Sequence, residues 1–176
     1  MTVPRLFLPL ACCVLGFGAA SCGYHVTGAV SVLPKNVKTI AIPTFKNATT
    51  HYRLSEVITA AVAREFISRT RYKIVADPDN ADAVLSGSVV NAFAYPTTFD
   101  PQTGRAAGVQ VVVFLALTLR DRATNAVLLD RPHMEFRQVY EISVNPAVYF
   151  DESDIAMDRL SRDVAHTVVS AVLENF

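Results

Sequence analysis

The chain has 176 residues, 51% of them hydrophobic, and its 16 basic residues balance 16 acidic ones. This length fits one domain behind a short leader. The formal net charge is therefore zero, whereas a nucleic-acid-binding surface is marked by an excess of lysine and arginine.

The N-terminus is typical of an export signal. Arg5 is the only charge in residues 1–21, and residues 6–20 form a mostly apolar run, LFLPLACCVLGFGAA. This run is short for a bilayer span, which needs about 20 apolar residues. A basic start, a short apolar centre and small residues at the end predict a signal peptide over residues 1–21.

The signal leads through Ala20 and Ser21 directly into Cys22, a pattern that resembles the lipobox of bacterial lipoproteins. We therefore expect Cys22 to become the first residue, with an acyl chain on its amine and a diacylglycerol on its sulfur. Two or more such chains anchor a protein stably. The alternative is an ordinary buried thiol. Because Cys22 is the only cysteine beyond the apolar run, the mature chain cannot form an internal disulfide.

The first half of the mature chain predicts a tether followed by a strand and a helix. Residues 22–36 show little periodicity and form the tether, whereas residues 37–45 (VKTIAIPTF) predict a strand. An amphipathic helix is predicted from Leu54 to Arg69. Its apolar positions are Leu54, Val57, Ile58, Ala61, Val62, Phe66 and Ile67. A short strand over residues 72–75 and a turn over residues 77–80 follow.

The second half predicts three longer strands and a final helix. The strands cover residues 83–95, 107–120 and 127–142, with polar tips at 100–104 and 122–125 between them. We expect Leu85, Val89, Phe93 and Tyr95 to share one face of the first. The second is apolar on both faces in its middle, which is typical of a central, covered strand. The last helix is predicted to begin after Asp151-Glu152-Ser153 and to run almost to Phe176.

Strands and helices do not alternate strictly along the chain. This order predicts an α+β domain over residues 37–176, with one mixed four- to five-stranded sheet and two helices packed on one face. The face away from the helices must then be solvated or covered by a partner. The sequence does not define the order of the strands.

The sequence shows no set of titratable side chains whose spacing predicts a catalytic site. The four histidines are not spaced as metal ligands, and the seven glycines form no phosphate-binding loop. We therefore expect a protein that is not an enzyme and holds no metal and no cofactor other than the lipid on Cys22. A hydrolase with an unrecognised site is the alternative.

Several sequence segments resemble those of the LPS-assembly lipoprotein family, LptE. They are the start Cys22-Gly23-Tyr24-His25, LPKNVKTIAIPTFKNAT, ADAVLSGSV, LTLRDRATNAVL and NPAVYF, and together they span the mature chain. The resemblance implies an outer-membrane lipoprotein on the periplasmic side that sits inside the LptD β-barrel and assists its assembly. It also implies a part in delivering lipopolysaccharide to the outer leaflet, and direct binding of lipopolysaccharide.

Arginines next to the tips are candidates for contacting the phosphates of lipopolysaccharide. Arg105, beside Gly104, is the first candidate, and Arg120 and Arg122 at the next turn are the second. The alternative is that they are ordinary solvated charges.

IAIPTFKN and ADAVLSGSV also resemble periplasmic lipoproteins that activate peptidoglycan synthases or form curli secretion pores. A regulator or pore-former of this kind is therefore the second functional hypothesis. A pore-former needs an amphipathic membrane-inserting hairpin, and residues 109–119 are too apolar on their covered face for that role.

Overall fold

A computed structural model describes residues 33–34, 36–51, 53–143 and 153–174. Within these ranges two helices, α1 (Leu54–Arg69) and α2 (Ser153–Glu174), accompany one six-stranded sheet. The strands are β1 (Thr39–Ala41), β2 (Lys46–Asn47), β3 (Lys73–Val75), β4 (Ala83–Phe99), β5 (Ala106–Asp121) and β6 (Val127–Glu141). The predicted α+β class and mixed sheet are confirmed, while the signal, Cys22 and most of the tether lie outside the described residues.

The strand predicted over residues 37–45 forms only at β1, and a separate two-residue strand, β2, begins just beyond its predicted end, which raises the strand number to six. Pro43 between them has no N–H to donate to a neighbouring strand. The N–H of Phe45 donates instead to the hydroxyl of Thr59 on α1, at 3.0 Å. That hydroxyl donates in turn to the carbonyl of Ser55 at 2.6 Å. The buried relay satisfies Phe45 and ties the chain to the helix.

The order of strands in the sheet is β3-β1-β4-β5-β6, and β2 pairs separately with β4. β1 is parallel to both neighbours, so Ile40 lies opposite Ile74 of β3 and Ala83 of β4. The three long strands form the predicted antiparallel meander. β5 is therefore flanked on both sides, as its two apolar faces predict.

Both helices cover the same face of the sheet and enclose the core. The buried apolar residues include Ile58, Val62, Phe66, Leu85, Val113, Leu115, Leu117, Leu160, Val164 and Val168. The predicted apolar stripe of α1 is confirmed except at Ile67, whose surface is 64% exposed. Ile67 follows Phe66 by about 100° around the helix, which turns it away from the sheet.

A bulge in β4 overturns the expectation that Phe93 and Tyr95 share a face with Leu85 and Val89. Val89 pairs with Leu115 and Asn91 pairs with Phe114, so Val90 has no opposite residue. One extra residue reverses the alternation of side chains along the rest of the strand. Phe93 and Tyr95 therefore lie on the helix-free face, where they are 42% and 40% exposed.

The long strands have two outer edges. β2 pairs with β4 only as far as Val89, and beyond that point β5 is the one strand paired with β4 among the described residues. This free stretch contains Pro96 and a second bulge at Thr97. The other edge is β6, which contains Pro132.

Candidate functional site

The tip of the β4–β5 hairpin presents Arg105. The carboxylate of Asp100 accepts from the backbone N–H of Thr103 at 2.7 Å and from its hydroxyl at 2.8 Å. These bonds hold the pKa of Asp100 below its usual range, the hydroxyl of Thr103 being the largest cause. Gly104 adopts a φ of 67°, which a glycine allows without strain. Arg105 is exposed, and no ion pair engages it in the described part of the chain.

Arg120 and Arg122 lie at the opposite end of β5 from Arg105. A strand of 16 residues extends about 50 Å at roughly 3.3 Å per residue, so these three arginines cannot bind one phosphate group together. Arg122 forms an ion pair with Asp79 at 3.2 Å. Arg120 is exposed on the strand, where it lies opposite Val84 and Val127.

The turn beside Arg122 is fixed by Asp121, whose carboxylate accepts from the N–H and the hydroxyl of Thr124 at 2.8 and 2.9 Å. The backbone bond from Thr124 is the largest cause that lowers the pKa of Asp121. The turn therefore keeps a negative charge close to Arg120 and Arg122, which weakens the field that they offer to an anion.

A third basic cluster was not predicted from the sequence. Lys38, Arg71 and Lys73 line a shallow depression beside β1 and β3, together with Val37, Thr39 and Tyr72. The parallel pairing places Thr39 opposite Lys73, and the N–H of Lys73 donates to the carbonyl of Lys38 at 2.9 Å. Arg71 and Lys73 are close in sequence, but only the pairing of β1 with β3 brings Lys38 beside them, so no local sequence signal could have identified the cluster.

The helix-free face of the sheet carries an aromatic cluster. The ring of Phe93 lies 6.1 Å from that of Tyr95 and 6.0 Å from that of Phe114, measured between centroids. The hydroxyl of Tyr95 donates to the side-chain oxygen of Gln110 at 3.1 Å. Val139 on β6 pairs with Gln110 and is 51% exposed. Exposed rings of this kind favour a protein partner over open water.

An ion pair borders the aromatic cluster on β6. Nε of Arg137 donates to the carboxylate of Glu135, and this bond is the main cause that raises the pKa of Arg137. Arg137 lies opposite Val112 and Glu135 lies opposite Phe114. The Arg137–Glu135 pair thus gives the aromatic cluster a polar border without net charge, while the centre of the cluster is apolar.

A cleft of about 600 Å³ opens between the first turns of the two helices and the distal half of the sheet. Its apolar lining includes Leu54, Val57, Ala92, Val111 and Met157, and its charged lining residues include Arg53, Asp154 and Asp158. The volume is in the range of ligand pockets, but the lining supplies mainly dispersion contacts. Over the described ranges, no group of three or more His, Cys, Asp or Glu could hold a metal ion.

Within the part of the chain that the structure describes, neither helix combines the length and the apolar character that a membrane span requires.

Known proteins resemble this chain at the level of family and of fold. A family model described as LptE, Lipopolysaccharide-assembly, matches residues 37–172. No curated protein sequence matches the chain. Among solved structures, an uncharacterized lipoprotein B from Nitrosomonas europaea is 19% identical, with a TM-score of 0.54 over 86% of this chain and 90% of that one.

Two further structures are similar in fold. PelC from Paraburkholderia phytofirmans, solved as a dodecamer, is 17% identical with a TM-score of 0.53, covering 82% of this chain and 91% of its own. The hypothetical protein CT253 from Chlamydia trachomatis is 10% identical with a TM-score of 0.50, and the match covers 77% of this chain and 98% of CT253. Identities this low show a shared fold alone.

The family match begins two residues before β1 and ends within the last turn of α2, so it includes every strand and both helices of the described domain. The chain therefore belongs to the LptE family, which consists of lipopolysaccharide-assembly lipoproteins that are neither enzymes nor dependent on a cofactor.

Proposed function

We propose that this protein is an outer-membrane lipoprotein that sits inside an LptD-like β-barrel, helps to assemble it, and takes part in delivering lipopolysaccharide to the outer leaflet. The family match over residues 37–172 is the observation that carries this proposal. Acyl chains on Cys22 hold the domain on the periplasmic side of the membrane. Mass spectrometry of the N-terminal peptide tests this anchor, and an unmodified Cys22 thiol would contradict it.

The dimensions of the domain support the placement inside a barrel. The β4–β5 hairpin is about 50 Å long at roughly 3.3 Å per residue, which exceeds the full bilayer thickness of about 40–45 Å. Its tip is polar and exposed from Pro101 to Arg105, which suits the polar interior of a barrel. The aromatic cluster of Phe93, Tyr95 and Phe114 supplies a contact surface for the barrel wall on the face that the helices leave open.

Co-purification tests the partner. Extraction of the acylated protein from its native membrane with mild detergent is expected to bring down one large barrel protein in equal amount. An unrelated lipoprotein extracted in the same way is the control, and it should not recover that barrel. Recovery of a peptidoglycan synthase, or of a homo-oligomeric ring of this chain, would contradict the barrel partner and favour the regulator or pore-former instead.

Arg105 is the proposed contact for a phosphate of lipopolysaccharide. The guanidinium is exposed on a tip that the bonds of Asp100 hold in place. A hydrogen bond to a charged group contributes about 1.5–3 kcal/mol, so Arg105→Glu is expected to weaken binding of purified lipopolysaccharide by at least about tenfold. Titration calorimetry or a fluorescent lipopolysaccharide analogue measures this loss.

Two variants with the same charge change make the test specific. Arg159→Glu alters an exposed arginine of α2, and it should leave lipopolysaccharide binding unchanged. Arg120→Glu probes the other predicted site, about 50 Å from the tip by strand length. Equal losses in Arg105→Glu and Arg159→Glu would show a general charge effect, and unchanged binding in Arg105→Glu would remove Arg105 from the site.

A further inference from the structure

The depression lined by Lys38, Arg71 and Lys73 lies where the tether enters the domain. All three side chains are exposed, and no acidic residue is among those that line the depression. Within the described ranges none of the three takes part in an ion pair. Three cations from two chain segments, one at Lys38 and one from Arg71 to Lys73, therefore face one space, and no acidic residue lines it.

One carboxylate close to Lys38, that of Asp82, is already engaged on the other side of β1. Asp82 precedes β4, and its Oδ2 accepts from the backbone N–H groups of Lys38 and Thr39 at 2.9 and 2.8 Å. The bond from Lys38 is the largest cause that lowers the pKa of Asp82. Since β1 lies between β4 and β3, this carboxylate does not enter the depression, although its charge reduces the local positive potential.

We propose that this depression, which we call the tether-side basic patch (Lys38, Arg71 and Lys73), binds the phosphate groups of anionic phospholipids in the membrane that carries the lipid anchor. Both lysine and arginine bind phosphate groups. Lysine does so as a point charge, and arginine does so through a planar fork of N–H donors. The inference goes beyond lipopolysaccharide assembly, but its geometry depends on the proposed acylation of Cys22.

The length of the tether brings the patch to the membrane. Cys22 lies 11 residues before Leu33, whose side chain is buried in the core of the domain, and a stretch of this length spans at most about 40 Å. A weak contact held at such a distance from its target acts at a local concentration in the millimolar range. A lipid chain combined with a basic patch is also a recognised two-signal arrangement for membrane attachment.

The consequence is a fixed orientation of the anchored domain. With the patch against the lipid head groups, the end of the sheet that carries Lys38, Lys73 and Arg122 lies at the membrane surface. Arg105 then lies about 50 Å from that surface along β5, at the end of the hairpin that extends through the barrel towards the outer leaflet.

Amine labelling tests the patch. The sample is the acylated protein extracted from its native membrane, together with any protein that co-purifies with it. The chain has four lysines, Lys35, Lys38, Lys46 and Lys73. We expect Lys38 and Lys73 to label about fivefold more slowly in nanodiscs that contain phosphatidylglycerol than in nanodiscs of phosphatidylcholine alone, given the attraction of one basic side chain to an anionic surface. Lys46 on β2 is exposed and serves as the internal control with unchanged labelling.

A variant and two additional conditions make the result specific. Arg71→Gln, which removes the third cation, should reduce the protection of both lysines, and so should high salt, because a surface potential is screened. Inorganic phosphate added to phosphatidylcholine nanodiscs should give little protection. If it protects as well as the lipid does, the patch is a site for free phosphate and the membrane assignment is wrong.

The two proposals fail in different ways. Equal labelling of Lys38, Lys73 and Lys46 in both lipid mixtures, with Cys22 acylated, would overturn the patch and leave the proposed function intact. An unacylated Cys22 in the same mass spectra would overturn the tether geometry, and with it both the patch and the anchored lipoprotein.

Discussion

Gly87→Ala is expected to lower the free energy of unfolding by about 1–3 kcal/mol, the usual cost of overpacking a core. Gly87 lies in β4 directly beneath the ring of Phe45, which is 3% exposed. A Cβ built at Gly87 would lie 2.6 Å from two ring carbons of Phe45, closer than real Cβ atoms approach. The ring is rigid and enclosed, so β4 or the segment that carries Phe45 must move. Urea unfolding followed by circular dichroism measures the change.

A matched substitution and a double variant test this explanation. Ser86→Ala removes a hydroxyl at an exposed position one residue earlier in the same strand, and it should change stability by less than about 0.5 kcal/mol. Introducing Gly87→Ala into a Phe45→Leu background should cost less than in the original chain, because the obstructing ring is absent. Additive costs would show that the two residues do not interact.

Phe66→Ala should cause the largest loss of stability among single truncations, about 3–5 kcal/mol. Phe66 lies near the end of α1 and is the largest fully buried side chain among the described residues. Its removal takes away the apolar surface of the ring and leaves a cavity that the sheet and both helices cannot fill without moving. The midpoint of urea unfolding, at an unchanged slope, measures this loss.

The neighbouring residue provides the control. Ile67→Ala shortens a side chain of similar hydrophobicity that is 64% exposed, and it should cost no more than about 0.5 kcal/mol. A similar loss for both variants would mean that Ile67 is buried as the sequence pattern suggested. A partner that covers this side of α1 would produce the same result only in the complex, so the measurement uses the isolated chain.

The sequence predicts the elements of this fold better than their arrangement. Helical spacing identifies α1 and the inward face of α2, and the polar tips separate the three long strands, because those signals are local. The bulge at Val90 has no comparable signal, since Val89-Val90 continues the β-branched pattern. It decides, however, whether Phe93 and Tyr95 lie in the core or on the open face. Tertiary packing settles that choice.

The candidate site shows the same division. Arg105 can be identified from the sequence because a polar tip between two strands must be exposed. Lys38, Arg71 and Lys73 cannot, because their proximity depends on β1 pairing with β3 across α1. The sequence places Arg120, Arg122 and Arg105 alike beside turns, but the length of β5 separates the first two from the third. A charge beside a turn can be placed from the sequence, whereas a cluster that strand order brings together cannot.

The prolines in the long strands restrict how this protein can associate. Pro96 and Pro132 interrupt the unpaired margins of the sheet, and a proline cannot extend a hydrogen-bonded ladder from its nitrogen. The long margins are therefore poor templates for strand exchange or fibre growth between copies. Association through side-chain surfaces is therefore favoured over the pairing of strands between molecules.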